Sequence, residues 1–405
     1  MSSTVFTFAE LEDRTRGGFA MGPFGSNLKR ELFQDSGIPV LRGQNLKSVH
    51  VSDENLAFVS LDVANSLARS IAHRGDIVIT HRGTLGQVSR VPENARFSRY
   101  LVSQSQLKLS VIESIVDSRY LTYWLRSQYG QAELLSFASQ TGVPAIAQPL
   151  TNIRKIRISL PSLQDQRAIA GVLGALDDKI ESNRQAAQKS ESLAFALFEE
   201  SATAEAILSD IARVVMGASP PGSSYNDTEN GLPFYQGVRE FSFRFPRQRV
   251  FTSMPKRLAE PGDILLSVRA PVGRLNVAED RCCIGRGLAA IRSETPSTCY
   301  YALRNMDTEW DMYDAQGTVF GSLNKAALNS LALPWPEPST KEELESRLNA
   351  LDLYISQKEQ EGRKLAELRD TLLPELMSGR MRVDEAGRLV AGVLGEEPME
   401  DAQSH

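Results

Sequence analysis

No apolar run in the 405-residue chain approaches the roughly 20 residues that cross a bilayer, so no membrane span is expected. The start, Met1-Ser-Ser-Thr-Val-Phe-Thr7, also lacks the basic and apolar regions of a secretory signal, and the expectation is a cytoplasmic chain. Cysteine is scarce. Cys282 and Cys283 are adjacent and Cys299 stands alone, which supplies neither a CxxC pair nor a disulfide framework, so reduced core thiols are expected. Histidine is scarcer for its purposes: residues 50, 73, 81 and 405 give no metal-ligand spacing, and no metal site is expected. No Gly-x-Gly-x-x-Gly follows a strand pattern and no Walker lysine appears, which excludes the usual dinucleotide and ATP cradles. The nearest text to the Asn/Asp-Pro-Pro-aromatic turn that holds a flipped base is Ser219-Pro-Pro-Gly222. Serine cannot offer the amide or carboxylate oxygen and glycine cannot stack, so this is a loop. No catalytic residue is assigned and no cofactor is expected in this chain.

What is present is an ordinary globular composition, 41% apolar and 23% charged, with a net charge of −5. Charge is sorted by segment. Residues 1–160 hold 18 Lys+Arg against 13 Asp+Glu, and residues 206–336 hold 14 against 13. Residues 161–205 hold 4 against 8 and residues 337–405 hold 9 against 16. Basic excess in some segments and acid in others is the distribution expected if only the former face phosphates.

The chain also repeats itself. Gly37-Ile-Pro-Val40, Arg74-Gly-Asp-Ile77, Thr141-Gly-Val143 and Leu173-Gly-Ala-Leu-Asp177 recur in order as Gly231-Leu-Pro-Phe234, Pro261-Gly-Asp-Ile264, Gln316-Gly-Thr318 and Leu348-Asn-Ala-Leu-Asp352. The offset falls from 194 to 187 to 175 residues. Preserved order with a drifting offset means loops of different length on one shared scaffold, because packed elements tolerate insertion least. Within each copy, short apolar runs punctuated by Gly, Pro, Asn and Asp indicate much sheet. The spacing predicts a helix over 118–127, with Leu121, Trp124 and Leu125 on one face, mirrored over 297–304. Tyr120, Tyr123 and Trp124 could stack on bases, but at helical spacing the core is the better expectation.

Each copy is followed by a long polar stretch with apolar residues three or four apart. The first carries Ile169, Leu173, Leu176 and Ile180, then Ala187, Leu193 and Leu197; the second carries Leu344, Leu348, Leu351, Ile355, Leu365, Leu368 and Leu372. Two helices of about 35 to 40 residues result, each about 55 Å long. A narrow stripe cannot bury itself, and the simplest solution pairs the two helices as an antiparallel coiled coil, with Leu173, Leu176 and Ile180 of the first and Leu348, Leu351 and Ile355 of the second in the helix pair. The alternative lays each helix on its own domain. The expected fold class is α+β, with two similar mixed α/β domains separated by the long helices. The expected divisions are 1–160, 161–205, 206–336 and 337–382, with a mobile acidic tail over 383–405.

If nucleic acid is the target, Arg and Lys position the protein on phosphates while Arg, Gln, Asn and Lys read base edges. The first copy offers Lys29 and Arg30, the cluster Arg42, Gln44, Asn45 and Lys47, and the segment Arg82, Thr84, Gln87 and Arg90. The second offers Gln236, Arg239, Arg244 and Arg247, with Arg269 and Arg274 in the turn matching Arg82 and Gln87. Phe241, Phe243 and Phe245 alternate with Ser242, Arg244 and Pro246, a strand signature that would place Arg244 on the outward face.

These features together resemble the DNA-specificity subunit of type I restriction-modification systems. The resemblance rests on the ordered duplication, on Leu160-Pro-Ser-Leu-Gln-Asp-Gln166 at the entrance of the first long helix, and on Leu372-Leu-Pro-Glu-Leu-Met-Ser-Gly379 at the end of the second. It implies two target-recognition domains that each read half of an interrupted double-stranded DNA site, with the helix pair setting the spacing. It further implies two modification subunits that carry S-adenosylmethionine and methylate adenine, and restriction subunits that translocate with ATP and cut. Pro334-Trp-Pro-Glu-Pro-Ser-Thr340 departs from the Gln-containing phrase at the second helix entrance. The competing expectation is a two-module protein-binding scaffold without DNA specificity.

Overall fold

The computed structural model describes residues 4–25, 27–139, 142–306, 310 and 323–395. Of the repeated phrases, Thr141 and all of Gln316-Gly-Thr318 lie outside the described residues. The chain divides into two units, one built from the residues up to Glu181 together with those from Gly362 onward, the other from Ser182–Glu361.

In the first unit, Thr4–Thr7 pairs antiparallel with Arg157–Leu160, so the chain's first strand meets the strand that leads into the long helix. A four-stranded antiparallel sheet follows the order Ala20–Met21, Gln106–Leu109, Ile77–Thr80, Val88–Arg90. A five-stranded sheet follows the order Phe33–Gln34, Ala57–Val59, Ile38–Leu41, Arg99–Val102, Ile71–His73. Its third and fourth strands are parallel, with Val40 opposite Leu101.

The second unit, taken alone, has the same plan. Ala204–Ile207 pairs with Ala332–Trp335. The four-stranded order is Ala212–Met216, Leu288–Ser293, Ile264–Ser267, Leu275–Val277. The five-stranded order is Tyr225–Asn226, Phe251–Thr252, Leu232–Tyr235, Cys282–Ile284, Leu258–Ala259, again with a parallel third and fourth strand, Phe234 opposite Cys283. The duplication read from short phrases is therefore a duplication of strand order.

Local chemistry explains the repeated phrases. Ile77–Thr80 and Ile264–Ser267 are buried throughout, so their text is continuously apolar instead of alternating. Before each strand a glycine turns in the left-handed region, Gly75 at φ 86 and Gly262 at φ 87, where a side chain is disfavoured. The next aspartate closes the turn: Asp76 Oδ2 accepts from His73 N at 2.9 Å, and Asp263 Oδ2 accepts from Glu260 N at 2.8 Å. Both buried carboxylates are paired, Asp76 with Lys108 at 3.4 Å and Arg16 at 3.3 Å, Asp263 with Arg292 at 2.7 Å. The Gly-Asp-Ile phrase thus holds the fold.

The long helices are Leu163–Ser201 and Lys341–Ser378. Within the first unit, Leu173, Leu176 and Ile180 from the first helix share a core with Leu365, Leu368 and Leu372 from the second. Within the second unit, Ala194 and Phe198 share a core with Leu344, Leu348 and Leu351. The early part of one helix meets the late part of the other, which is antiparallel pairing. Ile355 is buried as expected. The stripe is imperfect, since Leu193 is 52% exposed.

Two further expectations are corrected. Residues 383–394 are not a mobile tail: Val383–Leu394 is a helix whose Ala386 and Val390 pack in the core of the first unit. Its acidic first turn, Asp384 and Glu385, favours the helix N-terminus and masks the apolar spacing. Nor do residues 241–250 form a strand; the alternating phenylalanines belong to an irregular segment after the short turn Val238–Glu240. Tyr120, Tyr123 and Trp124 are core residues of the helix Ser118–Arg126, mirrored by Pro296–Arg304.

Candidate nucleic-acid interface

In the first unit the strands Ile77–Thr80 and Val88–Arg90 are joined by a hairpin, residues 81–87, whose residues 82–84 are exposed. Gly83 at φ 91 and Gly86 at φ 80 permit its bends. A side chain at Gly86 would meet Gln131 Oε1 at 2.3 Å, so the hairpin sits tightly on the domain. A second segment docks along it: Ile146 N donates to His81 O at 2.8 Å and Gly83 N to Pro144 O at 2.8 Å. The second unit repeats the device over residues 268–274, where Leu323 N donates to Val268 O at 2.9 Å and a side chain at Gly273 would meet the Trp310 ring at 2.1 Å.

Of the expected residues, the hairpins carry Arg82, Thr84 and Gln87 in the first unit and Arg269 and Arg274 in the second. Arg82 and Thr84 are exposed at the tip of the first hairpin, as are Arg269 and Arg274 at the matching tip. Gln87 is half-buried, and its Oε1 accepts from Thr80 Oγ1 at 3.0 Å, which in turn accepts from Gln106 Nε2 at 3.2 Å. Gly43 lies against Gln87, so the turn carrying half-buried Arg42 and exposed Gln44 adjoins the hairpin. Exposed Lys47 and Gln87 line one cavity of about 510 Å³ with Arg126, Asp177 and Arg369. Burial opposes charge on Arg369, but Asp177 at 2.5 Å more than offsets it and holds the guanidinium protonated. Lys29 and Arg30 are exposed elsewhere, at the short turn Arg30–Leu32.

In the second unit exposed Gln236 accepts through Oε1 from Ser219 Oγ at 3.0 Å, which ties residues 219 and 236 together. Ser219-Pro-Pro-Gly222 is accordingly a loop, with its serine oriented by a side-chain amide. Arg239 and Arg247 are exposed, joined through Glu240, whose carbonyl accepts from Arg247 N at 2.8 Å.

Three expected residues face inward. Asn45 is fully buried and donates through Nδ2 to Ser52 O at 3.0 Å and Glu54 O at 2.9 Å, holding its own turn. Arg90 is 6% exposed and bonds Ser118 and Glu93. Arg244 is 2% exposed. It donates to Tyr301 Oη at 2.8 Å, pairs with Asp352 at 3.1 Å and Glu191 at 3.5 Å, and lies 3.9 Å over the Tyr300 ring. Arginine between phenylalanines in text looks the same whether it faces water or a buried carboxylate.

The expected set omits one feature that recurs in both units. The turn Ser103–Gln106 and its counterpart Gly285–Leu288 border the hairpins, carrying exposed Gln104 and Arg286. His81 Nε2 donates to Gln104 O at 3.1 Å, and burial pushes the His81 imidazole below its ordinary value, so it serves as a neutral support. Aligning the two copies by their strands, not by repeated phrases, would have found this position.

No group of three or more metal-ligand residues occurs among the described residues, nor does any helix long and apolar enough to cross a membrane. The family model for the type I restriction modification DNA specificity domain matches residues 26–191. The putative type I restriction enzyme MjaX specificity subunit of Methanocaldococcus jannaschii is 27% identical over 375 residues, covering 86% of this chain and 88% of that protein. The MjaIX specificity subunit of the same organism is 21% identical, covering 77% and 79%. The crystal structure of the type I restriction-modification S subunit from M. genitalium shares the fold, with a TM-score of 0.60 at 17% identity over 93% of this chain and 96% of that one. A relative matched over most of its length, a domain model matched over residues 26–191 and the strand-by-strand duplication agree in making this chain similar to type I restriction-modification specificity subunits.

Proposed function

We infer that this chain is the non-catalytic DNA-reading subunit of a type I restriction-modification complex, each unit recognising one half of an interrupted duplex target. The observation that carries this reading is the recurrence, on one strand order, of an exposed arginine-bearing hairpin: Arg82 in the first unit, Arg269 and Arg274 in the second. Hairpin arginines suit phosphates and guanine edges alike. The antiparallel long helices act as the spacer and as the docking surface for two modification subunits, which bring S-adenosylmethionine and methylate adenine. Restriction subunits with ATP-driven translocation cut the DNA, and the complex works in the cytoplasm. Joining two readers makes the second contact intramolecular, so neither needs to bind tightly alone.

The test is duplex binding by the chain assembled with modification subunits, titrated over salt. Binding selective for a two-part site, with a negative slope of log K on log salt, supports the reading. Equal affinity for all sequences contradicts it.

A further inference from the structure

Two readers of different half-sites need different side chains at one place on a shared scaffold. The turns Ser103–Gln106 and Gly285–Leu288 meet that requirement. Each links the parallel-paired strand of the five-stranded sheet to the second strand of the four-stranded sheet, Arg99–Val102 to Gln106–Leu109 and Cys282–Ile284 to Leu288–Ser293.

Their backbones are fixed by matching hydrogen bonds. Gln106 N donates to Ser103 O at 2.9 Å and Leu288 N to Gly285 O at 3.0 Å, closing the turns. Ser103 N donates to Leu41 O at 3.0 Å and Gly285 N to Tyr235 O at 2.8 Å, anchoring them to the Pro-containing strands. His81 N donates to Ser105 O and Val268 N to Gly287 O, both at 2.9 Å, anchoring them to the hairpins. A glycine covers each turn from the remaining side: a Cβ on Gly22 would lie 1.8 Å from Ser103 O, and one on Gly217 would lie 2.1 Å from Gly285 O. Such crowding tolerates glycine alone.

At this clamped position the side chains diverge. Gln104 and Arg286 are both exposed, and neither side chain has a hydrogen-bond or ion-pair partner among the described residues. Gln44 and Gln236, by contrast, are engaged with Asn55 and Ser219. A rigid backbone carrying a free polar tip is what direct readout needs, since the ordering cost is already met in the free protein. Glutamine matches the adenine N6/N7 edge and arginine the guanine O6/N7 edge.

We propose that Gln104 and Arg286 are twin base-reading residues, Gln104 specifying an adenine in one half-site and Arg286 a guanine in the other. This rests on the DNA-reading function proposed above. The test maps methylated adenines genome-wide in a host carrying the full chain and its modification subunit, as wild type, Gln104→Arg and Arg286→Gln. Each variant is expected to alter one position in one half of the gapped motif and to leave the other half unchanged, which also controls for folding. A gapped motif identical in all three overturns the assignment and leaves the DNA-reading function intact; a wild type without any gapped motif removes that function itself. Where a variant methylates nothing, the Arg286→Ala and Gln104→Ala complexes are measured against duplexes permuted base by base. Discrimination should fall about 10- to 100-fold at a single position. Discrimination equal to wild type at every position also overturns the assignment.

Discussion

The hydroxyl of Tyr123 donates to Oδ2 of Asp177 at 2.7 Å, joining the helix Ser118–Arg126 to the long helix Leu163–Ser201 inside the first unit. The second unit makes the matching bond, Tyr301 Oη to Asp352 Oδ1 at 2.9 Å. Asp177 and Asp352 are the aspartates of the repeated Leu-x-Ala-Leu-Asp phrase, so that phrase fastens a recognition domain to a helix.

Tyr123→Phe should loosen this attachment. A hydrogen bond to a charged group is worth about 1.5–3 kcal/mol, and Arg369 still shields Asp177, so a loss near the lower end is expected. Amide exchange in Ser118–Arg126 should quicken accordingly. Unchanged protection would show that packing alone makes the attachment.

Arg244 and Arg269 should separate stability from DNA contact. Arg244→Ala leaves buried Glu191 and half-buried Asp352 without the guanidinium they share, and breaking a buried pair typically costs about 3–5 kcal/mol. At equal folded fraction its salt slope of DNA binding should match wild type. Arg269→Ala should leave stability unaltered and reduce the slope by about 1. A reduced slope in Arg244→Ala would mean that this arginine leaves its buried site on DNA.

Acid should destabilise the first unit in two stages. Burial depresses His81, so it is neutral when folded and takes up a proton on unfolding as pH falls below its ordinary 6.5. Glu12 is raised by burial but lowered further by Arg154 and Phe19 N, ending below its ordinary 4.5, and Asp117 likewise ends below 3.8 through Arg119. All three bind fewer protons folded than unfolded, so their stabilisation is present above the ordinary values and declines as pH drops through the folded ones. Denaturant midpoints should fall monotonically as the pH is lowered from about 8 to about 3, with Glu12→Gln flattening the lower stage. A midpoint that rises with acid would contradict these assignments.

Ending the chain after Arg382 should weaken the first unit, because Ala386 and Val390 then leave its core. Val390→Asp, which keeps the helix's length, should cost at least the roughly 1.5–3 kcal/mol of one buried valine. A truncated chain with an unchanged melting temperature would return this segment to the status of a tail.

The duplication was readable because turns leave fixed chemistry in text: Gly75 and Gly262 need positive φ, and Asp76 and Asp263 must close those turns. The helix pair was readable from spacing, since Leu173 and Leu176 on the first helix and Leu348 on the second are all buried. Contact residues were harder, because exposure is not written in residue type. Arg244 and Arg269 are the same letter, one buried against carboxylates and one at a hairpin tip. Gln104 and Arg286 occupy one structural position but share no letter, so a search for repeated phrases passes over them. The helix Val383–Leu394 buries Ala386 and Val390 and packs Val383 and Leu394 on the same core, but the acidic character of the segment outweighed that spacing.

The central proposal is that the length of the paired helices sets the gap between the two half-sites. Deleting seven residues from each long helix, between Ile180 and Ala194 and between Leu351 and Leu365, removes two turns and keeps the apolar stripe in phase. The strut shortens by about 10.5 Å, close to three base pairs at 3.4 Å each. Methylated-adenine mapping should return both half-sites unaltered with a gap shorter by about three base pairs, as that 3.4 Å rise requires. Both half-sites at the original gap would contradict the claim.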